Sequence, residues 1–248
     1  MELRVGTSGF SYKDWMGYVY PETIKKTQWF DYYVHFFNTV EINSSFYAIP
    51  SKKTMKSLCQ RTNKDFLFAV KMYQEITHKG NKESLPYVLE AFNTIPEEGR
   101  QMVVLLQFPY SFHKTAENVD YLQDVMEDIP YDKAVEVRHP SWFKDETISH
   151  MAKEWNFIPV SQDSPFLRQV IPNDTVYMRF HGRNKENWWQ HEEAYERYNY
   201  LYSQEELEEI MKDIKATNSN RYLLYFNNHY QGKAFKNAQM LLSLWNID

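Results

Sequence analysis

Eight short apolar runs, at residues 3–9, 39–46, 65–72, 102–109, 133–139, 157–163, 174–182 and 221–229, each end on polar or charged side chains. This recurring ending restricts the fold more than any other feature. Each run has strand length, and most are separated by enough chain for a helix. Strands alternating with helices predict a parallel sheet. Eight such strands predict an α/β TIM-type (β/α)₈ barrel, whose ligands sit at its C-terminal mouth. The length of 248 residues suits one such unit, typically about 250 residues, so a single TIM-barrel domain over residues 1–248 is expected.

Apolar stripes at helical spacing fill the intervals: Ile24, Phe30, Tyr33, Val34 and Phe37; Leu85, Val88, Leu89 and Phe92; Val119, Leu122, Val125 and Ile129; Ile148, Met151, Ala152 and Trp155; Phe235, Ala238, Leu241, Leu242 and Trp245. Ser51 is placed to cap a helix over 52–61, and Ser203 with Glu206 forms a capping-box pattern opening a helix over 204–216. Two intervals break the rhythm. Residues 164–173 are too few for a crossover helix, so the crossover between the sixth and seventh strands is shortened. Residues 183–202 form an aromatic-rich insertion after the seventh strand, read either as a lid over the mouth or as a packed excursion on the rim.

The chain carries a net charge of −5 and no basic block, so long nucleic acid is an unexpected partner. No apolar stretch approaches the roughly 20 residues that span a bilayer, and no secretory leader is expected ahead of a strand that begins at Leu3. The single cysteine, Cys59, excludes an internal disulfide and reads as helix packing. A cytoplasmic protein of unspecified oligomeric state is the expectation. Aromatic residues make up 17% of the chain, which suits a core, a pocket wall or a surface that stacks on rings.

Strand residues alternate between faces. Turning the apolar set toward the helices points the other set inward: Gly6 and Ser8; Glu41 and Asn43; Lys71; Gln107; Glu136 and Arg138; Ser161 and Asp163; Tyr177, Arg179 and His181; Asn227 and His229. Buried charges must pair or meet a ligand. A closed salt-bridge network that only fills the barrel is one reading. A polar layer near the carboxyl ends, where barrels are otherwise filled by branched apolar residues, is the reading that makes a site.

Several segments together resemble one known family. They are Gly6-Thr7-Ser8-Gly9-Phe10-Ser11-Tyr12 with Asp14-Trp15 and Tyr20-Pro21; Val40-Glu41-Ile42-Asn43-Ser44-Ser45-Phe46-Tyr47 with Pro50; Phe68-Ala69-Val70-Lys71 with Thr77-His78; Gln107-Phe108-Pro109 with Phe112; Glu136-Val137-Arg138-His139 with Trp142; Asp163-Ser164-Pro165; Tyr177-Met178-Arg179-Phe180-His181-Gly182; and Phe226-Asn227-Asn228. In this order they resemble the YecE-like proteins, also called the domain of unknown function 72 family, over essentially the whole chain. The resemblance implies a TIM-type barrel and implies neither an activity nor a cofactor. His229 and the Trp188-Trp189 pair stand where the chain departs from that pattern.

Three chemistries fit the inward set. The first is an acid/base enzyme acting on a small anionic or sugar-like substrate, phosphorylated ones included. Glu41, Glu136 and His181 are its proton-transfer candidates. Lys71, Arg138 and Arg179 hold the anion, and Ser8, Tyr12, Asn43, Gln107, Asp163 and Asn227 contact and orient the ligand. The second is metal-assisted hydrolysis or isomerisation through Glu41, Glu136, Asp163, His181 and His229. The neighbouring cations oppose it and no metal-ligand spacing appears, so no metal and no cofactor is expected. The third is a non-catalytic module for a nucleotide or single-stranded nucleic acid, with Tyr12, Trp15, Tyr47, Trp142 and Trp188 as stacking platforms. The glycine pair Gly6 and Gly9 lacks a phosphate-binding fingerprint, and no Gly-x-Ser-x-Gly elbow is present.

Overall fold

The structure, a computed structural model, describes residues 1–186 and 196–245. The strands among them are β1 (Glu2–Thr7), β2 (Thr39–Ile42), β3 (Leu67–Lys71), β4 (Gln101–Gln107), β5 (Asp132–Glu136), β6 (Ile158–Asp163), β7 (Arg168–Gln169), β8 (Thr175–Phe180) and β9 (Arg221–Phe226). All but β7 fall on the apolar runs. The hydrogen-bonded order is β1-β9-β8-β6-β5-β4-β3-β2, with β7 attached to β6. The pairings β1–β9, β8–β9, β3–β4, β4–β5 and β5–β6 are parallel. Helices lie between most successive parallel strands. This is an α/β fold of the TIM-type barrel class.

Between β6 and β8 the chain has no room for a helix. It doubles back instead, and β7 pairs antiparallel with the end of β6, Gln162 facing Gln169 and Asp163 facing Arg168. The stripe over residues 24–37 becomes less helix than its spacing predicts. A 3₁₀ turn at Lys26–Gln28 leads into one short helix, Trp29–Tyr33. Both predicted caps form. Ser51 accepts the Thr54 N–H ahead of the Lys52–Gln60 helix, and Ser203 and Glu206 make a complete capping box ahead of Gln204–Lys215.

Contacts divide the chain into two compact units, Met1–Glu41 with Ser161–Asp248, and Ile42–Val160. In the first, β1 and β8 flank β9 in matched register, Gly6 and Arg179 both lying beside Tyr225. Gly6 is required here. A Cβ at that position would lie 2.7 Å from the Thr39 carbonyl oxygen and 3.0 Å from the Tyr33 hydroxyl. Tyr33, Phe37, Leu241 and Trp245 are buried with the apolar faces of these strands.

In the second unit β3, β4 and β5 pair successively, Val104 lying between Val70 and Lys133. Their apolar residues are buried with the helices Lys52–Gln60, Leu85–Phe92, Ala116–Glu127 and Thr147–Glu154. Cys59 belongs to this core, and burial pushes its thiol up to about 11. No helix among the described residues is long and apolar enough to cross a membrane.

Candidate functional site

In the first unit the inward sets of β1, β2, β8 and β9 meet in stacked layers. The lowest holds Tyr177 and Tyr225, ring centroids 5.1 Å apart, with the Tyr225 hydroxyl 2.6 Å from that of Thr39. Above it lies Glu41, fully buried. Its Oε1 accepts from Ser8 Oγ at 2.6 Å and from Arg179 Nη2 at 2.7 Å. Its Oε2 accepts from the Tyr177 hydroxyl at 2.8 Å and Arg179 Nε at 3.0 Å. Four donors, two from one planar guanidinium fork, occupy both lone pairs of each carboxylate oxygen. Burial and the Glu41 charge push the Tyr177 hydroxyl well above its ordinary range, so it remains a donor. Above this layer, His181 Nδ1 lies 3.0 Å from the Asn227 amide nitrogen.

Asp163, at the end of β6, is likewise enclosed. Arg183 grips it with Nε 3.0 Å from Oδ1 and Nη2 2.8 Å from Oδ2, and the Tyr202 hydroxyl donates to Oδ1 at 2.7 Å. Arg183 continues through Nη1 to Glu206 at 2.9 Å. Gly182, at φ 87°, turns the chain from β8 toward Arg183, and its N–H donates to the Tyr202 hydroxyl. At the ends of β1 and β9, the Tyr12 ring stacks on His229, centroids 4.3 Å apart and nearly parallel. Burial lowers the His229 imidazole to about 4, and its Nδ1 is buried without a hydrogen-bond partner. Tyr12 donates its hydroxyl to the Ser8 carbonyl, and Trp15 donates to the His229 carbonyl.

The second unit gathers a different set at the carboxyl ends of β3, β4 and β5. Lys71 Nζ donates to Gln107 Oε1 at 2.7 Å and sits 4.0 Å from the centroid of the Phe46 ring. The Gln107 amide nitrogen donates to the Phe108 carbonyl, which fixes which end of the amide faces Lys71. Glu136 is 0% exposed and accepts from Arg138 Nε at 2.8 Å, whereas the Arg138 side chain is 29% exposed. The two terminal nitrogens of Arg138 meet no protein acceptor among the described residues. His78 lies edge-on to Phe46 at 4.8 Å, with Nδ1 3.0 Å from the Thr77 hydroxyl. Partial burial, then the Lys71 and Arg138 cations, lower its imidazole to about 4, with Glu136 opposing. The imidazole is neutral at physiological pH.

Each unit therefore unites residues far apart in sequence. The first brings together Ser8, Glu41, Tyr177 and Arg179, with His181 beside Asn227 and Tyr12 beside His229. The second groups Lys71, Gln107, Glu136 and Arg138, joined by His78. Asn43 stands at the start of the turn that carries Phe46. Arg183 and Tyr202, the partners of Asp163, were absent from the inward set because alternation along a strand says nothing about side chains that return from an insertion. Their one sequence signal is that they bound that insertion. Of the stacking platforms, Trp15 and Trp142 are fully buried and donate to backbone carbonyls. Tyr47 is 71% exposed, and Trp188 lies outside the described residues, as does Trp189. Among the described residues no three His, Cys, Asp or Glu side chains are grouped as a metal ion requires.

Residues 4–248 match the model of a family described as a protein of unknown function, DUF72. The chain is 31% identical over 276 residues to the UPF0759 protein YunF of Bacillus subtilis, covering 99% of this chain and 95% of the relative. A DUF72 family protein of Thermotoga maritima superposes with a TM-score of 0.88 at 36% identity, covering 99% of this chain and 100% of that one. A second solved member, from Enterococcus faecalis, gives 0.84 at 25% identity, covering 99% and 96%. With the strand order, the motif blocks and a match over nearly its whole length in agreement, this chain belongs to the DUF72 family.

Proposed function

We propose that this protein is an enzyme that binds a small anionic substrate at the carboxyl ends of β3, β4 and β5 and moves a proton on it. One observation carries the reading. Arg138 spends Nε on a buried carboxylate and leaves both terminal nitrogens without a protein acceptor among the described residues, on a side chain that reaches solvent. That edge of a guanidinium is a planar fork matched to two oxygens of a carboxylate or phosphate. Glu136 orients the fork. Lys71 adds a second cation, held in place by Gln107 and Phe46. His78 is the proton acceptor of this reading, since an imidazole kept neutral beside two cations can take a proton only when an anion arrives to stabilise it.

The ionic groups of the first unit support an anchoring role instead. Glu41 has no open acceptor position for a substrate proton, and Arg179 is the fork that closes it. The metal-assisted alternative lacks a ligand cluster among the described residues, and the net charge of −5 disfavours polymeric nucleic acid.

The test is ligand-induced stabilisation. Carboxylates and inorganic phosphate at millimolar concentration should raise the melting temperature of the native protein and leave Arg138→Gln unmoved. Equal shifts in both proteins, or none in either, refute the site. For the chemistry, a bound carboxylate incubated in D₂O should exchange its α-hydrogen with native protein and not with His78→Gln.

A further inference from the structure

Lys133 is the second residue of β5 and shares a strand face with Val135, which is buried. The lysine is half-buried. Its Nζ donates to the Ile129 carbonyl at 2.9 Å and forms no ion pair among the described residues. Burial lowers the ammonium below the usual lysine range, with Asp132 opposing. Taking an ammonium from water without an anion beside it costs free energy, so this side chain is complementary to a bound carboxylate.

Lys133 borders a cavity of about 190 Å³ together with Gln123, Met126, Glu127 and Trp155. All five belong to the second unit. Gln123, Met126 and Glu127 are spaced i, i+3, i+4 on the Ala116–Glu127 helix and share one face of it. Trp155 directly follows the Thr147–Glu154 helix. The Met126 thioether and the Trp155 indole give the cavity apolar walls of the kind that favour an aromatic ring. A cavity of about 150 Å³ holds benzene, so the volume suffices for one ring. Glu127 accepts the Gln123 amide N–H at 3.1 Å and has no cationic partner among the described residues. One ammonium and one carboxylate thus border the same cavity without pairing with each other. Two separate opposite charges beside apolar walls are the complement of a zwitterion with an apolar body.

We infer that this cavity binds a free α-amino acid with an apolar side chain, aromatic ones best, its carboxylate on Lys133, its ammonium on Glu127 and its side chain against Met126 and Trp155. The cavity adjoins the amino end of β5, whereas Glu136 and Arg138 stand at the carboxyl end. The inference is therefore independent of the anion site above.

L-Phenylalanine, 3-phenylpropanoate and phenethylamine share one ring and differ in charge, and they provide the test. Affinities are read by NMR titration of the Trp155 indole N–H signal, assigned with Trp155→Phe, so that a carboxylate held by Arg138 does not enter the measurement. Native protein should bind phenylalanine about tenfold more tightly than either analogue, the scale of one hydrogen bond to a charged group. Lys133→Met should weaken phenylalanine to the level of phenethylamine, and Glu127→Gln to the level of 3-phenylpropanoate. Arg138→Gln should leave all three affinities unchanged. No shift of the Trp155 signal with phenylalanine overturns the inference. So does equal binding of phenylalanine and 3-phenylpropanoate, which would make the cavity a plain anion site. Both outcomes are read on native protein, so the folding of a variant does not bear on them. Undiminished phenylalanine binding by Lys133→Met also overturns it.

Discussion

Glu41 and Glu136 look alike in sequence, each a glutamate between two branched apolar residues with a polar residue two positions on, and both are fully buried. Their surroundings divide their roles. Glu41 is closed by Ser8, Tyr177 and Arg179, whereas Glu136 shares an arginine that keeps its outer edge for solvent. Removing one partner of a buried ion pair leaves an uncompensated charge. Arg179→Leu should therefore destabilise the protein by about 3–5 kcal/mol, measured by urea denaturation at pH 7. A loss below 1 kcal/mol would contradict the closed network. Arg179→Lys should recover part of the loss, since a lysine restores the charge without the fork. Strand alternation made the convergence of these residues legible. Which glutamate was saturated was not legible, because that depends on the rotamers of donors on other strands, between 33 and 138 positions from Glu41.

Among the elements, the Gln204–Lys215 helix shows a local signal with a second use. Glu206 accepts the Ser203 N–H through Oε2, as the capping-box pattern predicts, and binds Arg183 through Oε1. Ser203→Ala should cost about 1 kcal/mol, the ordinary value of a cap. Glu206→Ala should cost more, because Arg183 and Tyr200 lose an acceptor with it. A double-mutant cycle of Arg183→Ala and Glu206→Ala should return a coupling of about 0.5–3 kcal/mol; strict additivity would reduce Glu206 to a cap. The hairpin-like return through β7 was legible only as missing length. Residues 164–173 declared that no helix could fit, but pairing with β6 is a tertiary solution to that shortage.

On the scale of the whole molecule, two imidazoles are expected to contribute to the acid limb of stability. His78 and His229 are each lowered from about 6.5 to about 4, by burial first, with the Lys71 and Arg138 cations adding at His78. The unfolded chain takes up these protons near pH 6.5 and the folded protein only near pH 4. Their contribution is thus complete above pH 6.5 and is lost as pH falls toward 4. The melting temperature should decline across this window, and the His78→Gln, His229→Gln double variant should flatten the decline. An unchanged slope in that variant would show that other groups dominate.

Eight polar-ended apolar runs, and intervals of helical length between most of them, were enough to determine the TIM-type fold class, since strand and helix periodicities are properties of the chain taken a few residues at a time. The inward sets followed from the same alternation. Only the tertiary structure decided that Glu41 and Asp163 are enclosed by arginine forks, that Arg138 keeps an open edge, and that the Asn43 amide leaves its cap position unused. Burial and hydrogen-bond satisfaction are sums over neighbours contributed by distant segments, and no local window of sequence contains them.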